Sequence, residues 1–90
     1  MEWIEKTVVI THQDGLHMRP LEMFIKRAMK FNSEIFVIKE NQRANAKSMI
    51  SLLALGAGQG TTLVLQARGD DAEEAVEHLA KLIESNFTEK

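Results

Sequence analysis

His17 stands two residues before Arg19 in the run Gly15-Leu16-His17-Met18-Arg19-Pro20, and these two side chains set the chemistry open to the chain. A neutral imidazole is a nucleophile near neutral pH and can accept a group covalently, dividing one transfer into two. A guanidinium offers paired donors that match phosphate. The apolar spacing downstream predicts a helix that opens at residue 18 and carries Pro20 in its first turn, where amide donors lack intrahelical partners. Those free amides and the positive end of the helix dipole favour an anion. The same field discourages protonation of a nearby imidazole and so preserves its nucleophilic nitrogen. Nucleophile and anion cradle therefore coincide. By spacing alone, His17 also fits a helix cap or a solvated surface residue.

Other candidate residues carry less. Ser48 directly precedes Met49-Ile50-Ser51-Leu52-Leu53-Ala54-Leu55, and Gly56 follows, which brackets a short helix between a serine N-cap and a glycine C-cap. Gly56-Ala57-Gly58-Gln59-Gly60 fits neither phosphate-loop pattern and reads as a helix stop and a turn into a strand. His12, Asp14 and His17 lack a standard zinc spacing, so no metal is expected, and no cofactor. His78 shares its helix surface with Glu74 and Lys81 and is expected to be solvated.

The elements that must position His17 follow from periodicity. Trp3 to Ile10 reads as a strand, and Thr11 to Gly15 as a loop. Residues 18–30 form a helix whose inward face holds Leu21, Phe24, Ile25, Ala28 and Met29. Glu34 to Lys39 is a second strand, Glu40 to Arg43 a turn, and Ala44 to Ala46 a short returning strand. After the helix 49–55, Thr61 to Ala67 is the last strand, and Asp70-x-x-Glu73 is a capping box for a final helix. The buried stripe of that helix is Ala72, Ala75, Val76, Leu79, Ala80 and Ile83. The order β-α-β-β-α-β-α predicts an α+β open-faced β-sandwich, a four-stranded antiparallel sheet with three helices on one face. Alternation then places Val9, Phe36, Ile38 and Val64 on the uncovered face, which would be unusually apolar and suited to self-association.

Bulk properties bound the function. Ninety residues predict one domain, 1–90, with one small site. Thirteen acidic against eleven basic residues give a net charge of -2, so nucleic acid is not an expected partner. The absence of cysteine removes disulfides and thiolate chemistry. The first residues lack signal-peptide character and no apolar run is long enough for membrane insertion, so the expected location is the cytoplasm.

Three segments carry a resemblance to a known family: Gly15-Leu16-His17-x-Arg19-Pro20; Ala46-Lys47-Ser48 through Leu55-Gly56 and Gln59-Gly60-Thr61; and Glu74-Ala75-Val76-Glu77-His78-Leu79. In order and spacing the chain resembles HPr, the histidine-containing phosphocarrier of the phosphoenolpyruvate-dependent sugar phosphotransferase system (PTS). The resemblance implies a carrier rather than an enzyme. His17 would take phosphate on Nδ1 from Enzyme I and pass it to an IIA component for sugar uptake or its regulation, with Arg19 steadying the phosphate. Met18, Met49 and Leu53 would form the partner-docking surface. Ser48 aligns with the serine that a dedicated HPr kinase phosphorylates in many members, although the cap role alone also accounts for it.

Departures from the family pattern bear on partner choice. Met18 and Leu21 stand where smaller residues are common, and with Met49 and Leu53 they are expected to enlarge the apolar surface around His17. Asp14 stands where Asn or Ser is usual, and its carboxylate would repel a phosphohistidine. Two other functions fit the same sequence: a regulatory module that acts through phosphorylation at Ser48 or His17 without moving sugar, and a non-enzymatic interaction or small-ligand domain.

Overall fold

The computed structural model describes residues 2–13 and 18–87. The elements are β1 (Ile4–Val9), α1 (Met18–Ala28), β2 (Glu34–Lys39), β3 (Gln42–Asn45), α2 (Met49–Leu55), β4 (Thr62–Arg68) and α3 (Ala72–Glu84). The strands form one sheet in the order β1-β4-β2-β3, with every pairing antiparallel. This is the four-stranded, three-helix open-faced sandwich that the pattern predicts.

Alternation along the strands builds the inner layer. Val8, Ile35, Val37, Ala44, Leu63, Leu65 and Ala67 point to one side and are all buried there. The helices lay their apolar stripes on that layer. Leu21, Phe24 and Ala28 come from α1, Leu52 and Leu55 from α2, and the expected six residues from α3, joined by Leu82. Removing this area from water is the main favourable term in folding, about 25 cal/mol per Å².

Several local expectations are corrected. Helix α1 ends at Ala28, where Lys30 and Phe31 turn to i→i−3 bonding on the carbonyls of Arg27 and Ala28. Met29 therefore leaves the inward face and is 63% exposed. The turn after β2 is shorter than expected, because Lys39 pairs with Gln42 and only Glu40 and Asn41 lie between them, Glu40 at φ 54°. Pairing Arg43 and Gln42 into β3 satisfies backbone groups that a longer turn would leave to water.

The third correction concerns the start of α3, whose N-cap is Asp71 and not Asp70. The Asp71 carboxylate makes no cap bond. It reaches across to the entry of β2, where it accepts from the backbone amides of Asn32 (2.8 Å) and Ser33 (3.0 Å) and from the Ser33 hydroxyl. The Ser33 hydroxyl above all, with the Asn32 and Ser33 amides, holds the Asp71 carboxyl below the usual carboxylate range. Ser33 is the one buried polar residue of the described chain, and Asp71 satisfies it.

The outer face carries Val9, Phe36, Ile38 and Val64, as alternation requires, yet it is less apolar than expected. Only Val9, at 45%, is a large exposed hydrophobe there. The Arg43 guanidinium lies 3.6 Å from the Phe36 ring centroid and 5.3 Å from that of Trp3, and Arg68 lies 4.5 Å from Trp3. Arg68 in turn pairs with Glu34 at 3.0 Å. Cations stacked on the ring faces therefore roof one end of the sheet. Their long stems cover apolar surface that the sequence pattern assigns to solvent or a partner.

Candidate functional site

The site lies where three chain segments converge: the end of β1, the start of α1 and the turn after α3. Gly60 N donates to Ile10 O at 2.7 Å and Ile10 N to Thr61 O at 2.9 Å, which carries β1 as far as Ile10. Beyond it, the Thr11 hydroxyl bonds the Asn86 side chain and Gln59 Nε2 reaches Thr11 O at 3.4 Å. At the other end of the chain, Asn86 and Phe87 both adopt left-handed backbone, φ 58° and 63°. Left-handed backbone costs about 1–2 kcal/mol per residue for an L-amino acid with a side chain. Asn86 N to Ile83 O (3.1 Å), Phe87 N to Leu82 O (2.9 Å) and burial of the Phe87 ring offset that cost. The result folds the chain back beside α1.

Between these segments is a cleft of about 340 Å³ lined by His12, Arg19, Pro20, Met23, Asn86 and Phe87. Arg19 is exposed and Pro20 buried in the first turn of α1, and that turn contains no acidic residue. The His12 ring meets Phe87 edge-on, with centroids 5.8 Å apart and planes at 76°. A guanidinium and an imidazole face a cleft whose described lining has no carboxylate.

His17, Asp14 and the side chain of Met18 lie outside the described residues. Of the other expected site residues, Ser48 takes the cap position at φ −115° and ψ 114°, and its hydroxyl oxygen accepts from Ser51 N at 3.3 Å. Gly56 closes α2 at φ 62°, with its N–H on Leu53 O, and Lys39 Nζ also bonds Leu55 O at 2.9 Å. Met49 is half-buried and Leu53 is 44% exposed. Leu21 is wholly buried, so it belongs to the core and adds nothing to an apolar surface around His17. Position 21 faces the sheet because it is three residues from Phe24 and seven from Ala28.

One residue that the sequence reading did not single out stands on this surface, and another differs from its reading. Ile50, at 81% exposure, is the most exposed large hydrophobe described and sits beside Met49 and Leu53. Its signal in the sequence is an apolar side chain off the Leu52–Leu55 face of α2. His78 is half-buried rather than solvated. Its Nε2 lies 2.8 Å from Arg27 Nη1, and its ring is 5.7 Å from that of Phe31. A guanidinium only donates, so Nε2 accepts and the ring proton belongs on Nδ1. His78 thus joins α3 to α1.

An open-faced sandwich with an arginine-lined cleft at the entry to its first helix is an arrangement that suits the handling of an anion. Comparison with known proteins narrows this chemistry. The sequence model of the family described as "PTS HPr component phosphorylation site" matches residues 4–85. The chain is 44% identical to the phosphocarrier protein HPr of Vibrio cholerae over 89% of its length and 94% of the relative's. It is 41% identical to the HPr-like protein Crh of Halalkalibacterium halodurans over 90% and 96% of the two chains. A crystal structure of HPr from Thermoanaerobacter tengcongensis superposes with a TM-score of 0.93 at 46% identity, covering 97% of this chain and 98% of that one. The chain belongs to the HPr family, and its role is that of a phosphocarrier of the PTS rather than a catalyst.

Proposed function

We propose that His17 is the phosphoryl acceptor, charged on Nδ1 by phospho-Enzyme I and discharged to an IIA component, with Arg19 steadying the phosphate. The family match across residues 4–85 carries this reading, because it spans the Gly15–Pro20 segment that holds the histidine. The position of Arg19, exposed on the first turn of α1 and facing the cleft, supports its part. Met49, Leu53 and Met18 form the docking surface in this proposal, and the exposed Ile50 extends it. Ser48, at the cap of α2 within that surface, is the position for regulatory phosphorylation by an HPr kinase. Phosphate there would add charge beside the apolar contacts. The chain acts as one domain, 1–90, in the cytoplasm. No helix among the described residues is long and apolar enough to cross a membrane.

Incubation with Enzyme I and labelled phosphoenolpyruvate tests the assignment. Acid-labile label is expected on the natural chain and absent from His17→Ala. Label retained in that variant overturns it. Self-association through the outer face of Val9, Phe36, Ile38 and Val64 is a separate part of the proposal, favoured by the exposure of Val9, with Arg43 stacked on Phe36 covering part of that face. A strictly monomeric protein at high concentration in scattering measurements removes that part.

A further inference from the structure

We infer that Lys39 and Lys47 are positioning residues for partner docking: their ammonium groups hold the two ends of α2, so that the helix presents Ile50 and Leu53 in one fixed attitude. The inference rests on the docking surface proposed above.

Helix α2 is suited to presenting apolar side chains and poorly suited to standing alone. It has seven residues, none of them charged. Isolated helices shorter than about 12–15 residues are marginal in water. Leu52 and Leu55 are buried and choose its inward face, while Ile50, at 81% exposure, and Leu53, at 44%, are left outside. Its two caps are internal: the Ser48 hydroxyl oxygen accepts from Ser51 N, and Gly56 N donates to Leu53 O. Caps of this kind close the helix but do not attach its ends to the rest of the fold.

The two lysines make those attachments. Lys39, the last residue of β2, donates from Nζ to Leu55 O at 2.9 Å and to Gly56 O at 3.5 Å. This places a cation at the negative end of α2, which supplies none of its own. Lys47, directly before the Ser48 cap, donates from Nζ to Phe31 O at 2.7 Å and to Ser33 O at 3.1 Å. Those carbonyls belong to the turn between α1 and β2, whose Asn32 and Ser33 amides are in turn held by Asp71. Both lysines are half-buried, and among the described residues neither ammonium has a carboxylate within ion-pair distance. Their charge is directed onto backbone carbonyls, in bonds stronger than neutral ones and screened less by salt than exposed pairs.

Removing one ammonium frees one end of α2. If the docking attitude is then populated about a tenth to a third of the time, apparent affinity falls by about three- to tenfold. The lysines act through α2, so the limiting rate of transfer should not change.

The test measures initial rates of label transfer from catalytic Enzyme I and excess labelled phosphoenolpyruvate, with the concentration of the chain varied. Lys39→Met and Lys47→Met should each raise KM about three- to tenfold and leave kcat unchanged. Lys39→Arg and Lys47→Arg, which keep charge and donors, should lie near the natural chain. The rise should persist at high ionic strength, and Ile50→Ala should raise KM less in the Lys47→Met background than in the natural chain. Val76→Ala, which removes buried volume from α3, controls for stability: Tm should fall and KM stay unchanged. An unchanged KM in a Met variant, where Ile50→Ala or Leu53→Ala raises it, overturns the role of that lysine. So does a rise that vanishes with salt, which marks direct ionic contact with Enzyme I, or an equal rise in Val76→Ala. Unchanged KM in both Ile50→Ala and Leu53→Ala overturns the docking surface, and this inference with it.

Discussion

Replacing Asp71 by Ala removes the carboxylate that joins the start of α3 to the entry of β2. It takes away acceptors for three donors: the Asn32 amide, the Ser33 amide and the Ser33 hydroxyl. Water can replace the bond at exposed Asn32 cheaply. Ser33 is 2% exposed, so its two donors lose a partner with little access to solvent. Leaving a buried donor unsatisfied costs about 1–3 kcal/mol. Taking the low end for two donors on one residue gives about 2–3 kcal/mol. For a chain of 90 residues this lowers Tm by roughly 10–15 °C. Asp70→Ala, one position away on an exposed residue, should stay within about 0.5 kcal/mol of the natural chain. Urea titrations followed through Trp3, the sole tryptophan, compare the variants directly. The pH dependence has a definite sign. The Asp71 carboxyl is held below its ordinary value in the folded chain, so its contribution is present at neutral pH. It fades as acid protonates the carboxylate, below about pH 4. The gap between natural chain and Asp71→Ala should narrow there. A loss from Asp70→Ala equal to that from Asp71→Ala, or a gap that widens in acid, refutes the reasoning.

Other substitutions test neighbouring claims. Gly69 has φ 148°, and a Cβ built on it would stand 2.5 Å from Ser33 Oγ and 2.8 Å from Ser33 Cα. Gly69→Ala should therefore cost at least about 2 kcal/mol in a urea titration, since backbone as well as side chain must yield. Leu21→Ala should destabilise by about 2–5 kcal/mol, because the side chain is fully buried, and a thermal melt reads this before any binding assay. Arg43→Ala uncovers the Phe36 ring at the roofed end of the sheet, and sedimentation at rising concentration should show more self-association than the natural chain.

Much of this protein was legible without coordinates because its determinants are local. The period-two burial of β2 and β4, the period-3.6 stripe of α3, and the Ser48–Gly56 bracket around α2 each depend on residues a few positions apart. The motif Gly15–Pro20 marked a histidine and an arginine at a helix start from types and spacing, and its resemblance to the HPr family agrees with the family match over residues 4–85. What sequence could not reach involves partners far away in the chain. Asp71 turned from its own helix to Ser33, 38 residues away. His78 found Arg27 across 51 residues, and Arg43 came to rest on Phe36 through the β2–β3 pairing. Leu21 was equally suited to core or surface until α1 was laid on the sheet. The cleft is the clearest case. Thr11 and Asn86 are 75 positions apart, and only the folded chain sets His12, Arg19 and Phe87 around one cavity. Local spacing determines which residues can do chemistry, but packing decides which of them share a site.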